Sequence, residues 1–250
     1  MKEKYYIAYG IDTYREQMKQ KCPDAEIIGT AMLNGFELEF HGTTTVIPKQ
    51  DSLTPVLIWK ISEADEIRLD VCQGIHNGVY QKTTQEIQIG GKKISGLMYR
   101  INDGKISPPK EDYVQRIFRG YVQQGMDVNY LNEAVLKAAP SRIASLEKQE
   151  EYKSINLSKN LSISMIQYEE FFIRLTPAFL IRQNENKTAE ACAGFLIEIF
   201  DSEKSFVPLE IISAAAGYEL SENSEKESAD FAEEYLEETA EAYRRMLEEE

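Results

Sequence analysis

The sequence predicts an α+β protein in two parts, a strand-rich N-terminal half and a mainly helical C-terminal region. Three observations predict it. Residues 4–101 form a series of β-branched and aromatic runs divided by Gly, Asn-Gly and Gly-Gly turn signals. From about residue 111 onward, apolar residues recur mainly at helical spacing. Charge divides the chain as well: the net charge is −14, and nearly all of the acidity lies in residues 146–250. A chain of 250 residues suffices for two ordinary domains. The expected division is residues 1–140, a linker over 141–160, and an acidic domain over 161–250.

The elements follow in order. Residues 4–9, rich in Tyr and Ile, read as a buried strand that ends at Gly10. Asp12 or Thr13 then caps a helix running to about Cys22, with Glu16 completing a capping box and Pro23 stopping it. Four strands are expected over 26–33, 36–40, 43–48 and 55–61, with turns at Asn34-Gly35 and His41-Gly42. Ser62 caps a short helix through about Asp70. Residues 79–89 and 92–101 read as a hairpin about Gly90-Gly91, followed by helices over about 111–124 and 128–138. Pro140 and the polar run 147–159 mark the linker. Beyond it, 188–200 and 208–216 are expected as apolar-rich helices. Ser224 and Glu227 open a last helix as a capping box, with Phe231, Tyr235, Ala240, Tyr243 and Leu247 near one stripe.

Composition excludes several classes. An acidic half repels nucleic acid and anionic membrane, and suits a solvated face or a basic protein partner. Three well-separated cysteines with no CxxC spacing, and only two histidines, argue against a structural zinc site. No metal and no cofactor is expected. Free cysteines fit a reducing, cytoplasmic compartment. No apolar run is long enough to span a membrane, and the N-terminus reads directly into a strand with no signal peptide. Fourteen Tyr and ten Phe supply aromatic walls for a pocket.

Several motifs arrive in a telling order. Tyr9-Gly10 ends the first strand, and Cys22-Pro23 ends the helix after it. Next come Gly29-Thr30-Ala31 and the run Pro55 to Ile61 leading to Leu69-Asp70, then Gly74 and Tyr80. Gly96-Leu97-Met98-Tyr99, the paired prolines Pro108-Pro109 and Tyr113 complete the series. Over roughly residues 4–138 the chain resembles the γ-glutamylcyclotransferase-like (AIG2-like) family; residues 146–250 resemble nothing recognised. The resemblance implies a small mixed β-barrel-like sheet with flanking helices. It also implies a reaction in which the α-amino group of a γ-glutamyl compound attacks its own γ-carbonyl, releasing 5-oxoproline and an amine.

That chemistry needs a base for the ammonium, donors for the oxyanion and substrate carboxylate, and a proton for the leaving amine. In the family a Tyr-Gly-Ser-Asn turn supplies the donors and a Glu moves the proton. Mapped here, the turn is Tyr9-Gly10-Ile11-Asp12, where Gly10 serves either a positive φ or a close backbone approach. Gln73 stands at the position of the Glu. A carboxamide takes up no proton at physiological pH, and loss of a general base lowers the rate by about 10²–10⁴. Asp12 sets a negative charge where the substrate carboxylate would dock, unfavourable by ~1–3 kcal/mol for an anion. Tyr9, Tyr80, Tyr99 and Tyr113 match pocket-lining positions. Asp12 is the better substitute base, ahead of Asp70 and Glu16, and a Cys72–His76 pair is disfavoured by the intervening Gly74.

Three functions follow as expectations. The first is a binding module for a small polar, amino-bearing ligand, impaired as a cyclotransferase. The second is an active γ-glutamyl or γ-glutamylamine cyclotransferase. The third is a scaffold whose acidic C-terminal half contacts a protein partner.

Overall fold

A computed structural model describes residues 3–139, 163–183, 189–202, 208–215 and 222–248. The chain divides into two compact units, residues 1–139 and 140–250.

The first unit is built on a five-stranded sheet. Strand β1 (Lys4–Ala8) is central: it pairs antiparallel with β3 (Thr43–Ile61) and parallel with β5 (Lys92–Ile101). Strand β2 (Glu26–His41) flanks β3 and β4 (Tyr80–Ile89) flanks β5, giving the order β2-β3-β1-β5-β4. The four strands expected over 26–61 are thus two long ones. Asn34-Gly35 turns no hairpin; pairing continues on both sides of it across a register shift between Asn34 and Phe36, with Gly35 at φ +76°. The reversal sits at His41-Gly42, and the Gly90-Gly91 turn has both residues at positive φ, the requirement of a type I′ hairpin.

The sheet is mixed and flanked by helices, as expected, but it is not closed into a barrel. Its edges β2 and β4 approach at Gly29, where an added Cβ would stand 3.3 Å from Ile89 Cδ1, yet no ladder joins them. Tyr6, Met18, Leu57, Trp59, Leu69 and Tyr99 form a buried cluster on which helices α1 (Arg15–Lys21) and α2 (Glu63–Cys72) pack. Helices α3 (Glu111–Gln123) and α4 (Asn129–Ala138) complete the unit. A Cβ at Gly120 of α3 would lie 2.6 Å from Tyr14 N and 2.7 Å from the carbonyl carbon of Thr13, so the helix backbone rides directly on the segment after β1.

The expected capping box on the first helix does not form. Residues Ile11–Thr13 make a separate 3₁₀ turn, and α1 starts after Tyr14 with no side-chain cap. Glu16 instead accepts from Gln123 Nε2 of α3 at 3.0 Å. On α2 the cap is complete: Asp65 N–H donates to Ser62 Oγ at 3.1 Å, and Ser62 N–H donates to Asp65 Oδ2 at 3.0 Å.

The second unit corrects the expectation of a mainly helical C-terminal region. It holds a four-stranded antiparallel sheet, β6 (Ser164–Tyr168), β7 (Phe171–Gln183), β8 (Ala189–Phe200) and β9 (Glu210–Ala215), followed by helix α5 (Glu222–Glu248). The runs expected as helices over 188–200 and 208–216 are β8 and β9. Strand β8 is paired on both sides and its residues 191–200 are all buried. A strand buried on both faces loses the period-two alternation that would reveal it. Helix α5 lays Tyr243 against Phe171, edge to face with ring centroids 6.1 Å apart, and Tyr243 donates to Glu210. This helix begins two residues before Ser224, whose side chain, like the linker over 141–160, lies outside the described residues.

Candidate functional site

Strand β1 leads into the cavity. After Ala8 come Tyr9 and Gly10, then the 3₁₀ turn. Gly10 sits at φ −115°, so it supplies space rather than left-handed backbone. A Cβ there would stand 2.0 Å from Thr44 Oγ1. The turn is fixed from several sides. Thr13 donates to Gly10 O through N–H at 2.9 Å and through Oγ1 at 2.7 Å. Trp59 Nε1 donates to Asp12 O at 3.0 Å, and Tyr121 OH to Tyr9 O at 3.3 Å. Ile11 and Asp12, at the opening of the turn, have no acceptor for their N–H groups within it.

A cavity of about 290 Å³ opens against this turn. Tyr9, Gly10, Ile11, Asp12, Gln73, Tyr80, Tyr99 and Tyr113, all named from the sequence, line it. Tyr6, Lys21, Thr43, Thr44, Cys72 and Val79 line it too and were not named as site residues. Lys21 escaped notice because the separate 3₁₀ turn resets the phase of α1. Thr43 and Thr44 come from the start of β3, which sequence periodicity does not bring near β1.

Asp12 is only 2% exposed, and both its oxygens are engaged. Lys21 Nζ donates to Oδ1 at 2.5 Å; Tyr6 OH donates to Oδ2 at 2.8 Å, and Gln73 Nε2 reaches Oδ2 at 3.4 Å. The negative charge expected in the pocket is therefore half of an ion pair. Gln73 arrives from the C-terminus of α2, its N–H still bonded to Leu69 O at 2.8 Å. Gly74, at φ +61°, ends the helix in the left-handed conformation and leaves the Gln73 side chain turned toward Asp12.

The tyrosine hydroxyls are held in place. Tyr113 OH contacts Thr44 Oγ1 at 2.9 Å and accepts from Thr44 N at 3.2 Å. Tyr80 OH meets Thr43 Oγ1 at 2.8 Å, and Tyr9 OH donates to Tyr99 O. Tyr99 OH donates to Asp70 Oδ1 at 2.7 Å, and Lys82 Nζ holds the other Asp70 oxygen at 2.6 Å. Asp70 thus positions Tyr99 and does not line the cavity. Burial pushes the phenols of Tyr6, Tyr9, Tyr80, Tyr99 and Tyr113 above their usual range. All five stay un-ionised at neutral pH.

His76, on the 3₁₀ turn Ile75–Asn77, is exposed and absent from the lining, while Cys72 lines the cavity alone. Among the described residues no group of three His, Cys, Asp or Glu side chains is placed to hold a metal ion. No helix among them is long and apolar enough to cross a membrane. The cavity offers an ammonium, a carboxylate, a carboxamide and hydroxyls. Its lining holds no imidazole, and Asp12 is its one carboxylate.

Residues 55–133 match the AIG2-like family. The chain is similar in structure to a γ-glutamyl cyclotransferase, with a TM-score of 0.51 and 21% identity over 61% of this chain and 98% of that one. It is equally similar to an uncharacterized protein from Homo sapiens, with a TM-score of 0.51 and 20% identity over 62% of this chain and 98% of the other. At this identity the likeness concerns the fold. No curated protein matches the chain. The second unit lies outside the family match.

Proposed function

We propose that the first unit is a γ-glutamylcyclotransferase-like binding module for a small, polar, amino-bearing molecule, and that its cyclotransferase chemistry is impaired. One observation carries this reading: residue 73 is a carboxamide, and the only carboxylate of the lining already accepts from Lys21, Tyr6 and Gln73. The Asp12–Lys21 pair presents both signs of charge to a ligand. An ammonium is recognised at Asp12 and a carboxylate at Lys21, with tyrosine rings as walls; γ-glutamyl compounds carry both groups.

A second reading is an active γ-glutamyl or γ-glutamylamine cyclotransferase that uses Asp12 as its base. The contact between Asp12 and Gln73 favours it, because a carboxylate still stands beside the position of the family Glu.

Cys72 supplies a test of both. It is the exposed cysteine of the three and lies on the cavity wall, whereas Cys22 and Cys192 are buried. γ-Glutamyl dipeptides and γ-glutamyl-ε-lysine are expected to slow alkylation of Cys72 without producing 5-oxoproline. Turnover to 5-oxoproline selects the second reading. Unchanged alkylation together with no turnover removes both.

A further inference from the structure

Neighbouring residues of β5 face different cavities. Tyr99 lines the first, and Arg100 lines a second cavity of about 240 Å³ with His41, Thr45 and Asp103. Arg100 is an unusual arginine. Its guanidinium lies 5.8 Å from the centroid of the Phe36 ring, and Nε is shielded from solvent with no hydrogen-bond partner. Its side chain makes no ion pair or hydrogen bond among the described residues. In the same unit Arg68 pairs with Asp65, Arg116 with Asp112, and Arg119 reaches Tyr14 OH at 3.0 Å.

The cavity has a second orphan. His41 Nε2 faces Glu39 Oε2 at 3.0 Å, and a carboxylate only accepts, so the proton on that nitrogen points at Glu39. Nδ1 is buried and unpartnered. The Glu39 charge is met by Lys137. Asp103, which also lines the cavity, is exposed, and no ion pair joins it to Arg100 among the described residues. Of the two orphans only Arg100 Nε is a donor, since His41 Nδ1 is an acceptor when Nε2 carries the proton. Leaving that donor unmatched is unfavourable, and a guanidinium matches a carboxylate with two parallel bonds.

We propose that this second cavity binds an organic carboxylate through Arg100, independently of the first. The wall formed by Val46, Ile47 and Ile101 suits a short apolar stem. One guanidinium with Asp103 nearby favours a monoanion over a dianion such as phosphate.

The test uses the full chain and two probes, propionate and inorganic phosphate, titrated at constant ionic strength. Binding is followed by the arginine Nε–H signals in ¹⁵N–¹H spectra and by the thermal midpoint. Propionate is expected to shift one arginine signal saturably. Arg100→Met, which keeps the stem over Phe36, removes that signal and weakens binding at least ~10-fold. Asp103→Asn removes a like charge and tightens binding about 2–5-fold. Phosphate binding more tightly than propionate overturns the carboxylate assignment. No saturable shift, or equal affinity in Arg100→Met, overturns the site. Should Arg100→Met fail to fold, the wild-type spectrum and the direction of the Asp103→Asn effect decide.

Discussion

Gln73 and Asp12, 61 residues apart in sequence, meet across the cavity with Gln73 Nε2 3.4 Å from Asp12 Oδ2. The contact couples the two positions, so a change at one is felt at the other. A Glu at 73 beside an Asp at 12 would set two carboxylates together in a site that is mostly buried. With Gln at 73 the pair retains one carboxylate and one carboxamide.

Gln73→Glu alone is therefore expected to destabilise the first unit at neutral pH, by ~1–3 kcal/mol. The sign follows from linkage. Crowding raises the carboxyl pKa of the folded pair above its unfolded value, so the unfolded state releases its proton first as pH rises. The loss is absent at acid pH, grows as pH rises through the ordinary carboxylate range, and levels off above the raised value. Thermal midpoints of wild type and variant at pH 4 and pH 8 check this; an equal gap at both pH values contradicts it.

Asp12→Asn with Gln73→Glu restores the one-carboxylate, one-carboxamide contact in the family arrangement. Its stability is expected to lie closer to wild type than that of Gln73→Glu. On the binding-module reading proposed above, the double variant is expected to release 5-oxoproline from γ-glutamyl substrates faster than wild type by about 10²–10⁴. An assay in which Gln73→Glu gains as much as the double variant argues against the coupling of the two positions.

Glu66 gives a second pH dependence, away from the cavity. The hydrogen bond from Lys4, then that from Lys82, holds its carboxyl below the usual range. A depressed folded pKa means stability that is present above the unfolded pKa and lost as pH falls through the folded value. Lys4 is partly exposed, so the contribution is about 1 kcal/mol or less. Glu66→Gln is expected to lower the thermal midpoint at pH 7 and to converge with wild type in acid. Parallel curves over the whole range would show that the pairing contributes nothing specific.

How far the sequence could be read depended on the kind of signal. Residues 9–12 and Gln73 stand in short motifs of fixed order, and the fold gathers them around one cavity. Ser62 and Asp65 were readable as a cap in part, since Ser62 precedes the apolar run, and the reciprocal bonds are present. Thr13 and Glu16 have the same spacing but are drawn elsewhere: Thr13 to Gly10 O and Glu16 to Gln123 on α3. Tertiary partners outcompeted a local motif. In β8 the continuous apolar run from Ala191 to Ile197 carries no period at all, so strand and helix were indistinguishable until its pairing with β7 and β9 was known. Lys21 was hidden by a 3₁₀ turn that no composition signals.

Two glycines separate space from conformation as reasons for their presence. Neither Gly10 nor Gly120 has positive φ, yet each is closely approached. At Gly10 the obstacle to a Cβ is a side-chain oxygen, Thr44 Oγ1 at 2.0 Å. At Gly120 it is also backbone, Tyr14 N at 2.6 Å. A side chain can turn away at the loss of its bond to Tyr113, whereas backbone must shift as a unit. Gly10→Ala is therefore expected to destabilise by ~1–3 kcal/mol, and Gly120→Ala by more than ~3 kcal/mol. Thr44→Ala should recover part of the Gly10→Ala loss and none of the Gly120→Ala loss. Denaturant midpoints of the three single and two double variants measure this. Equal recovery in both backgrounds would mean that Thr44 acts on stability generally and not through the space above Gly10.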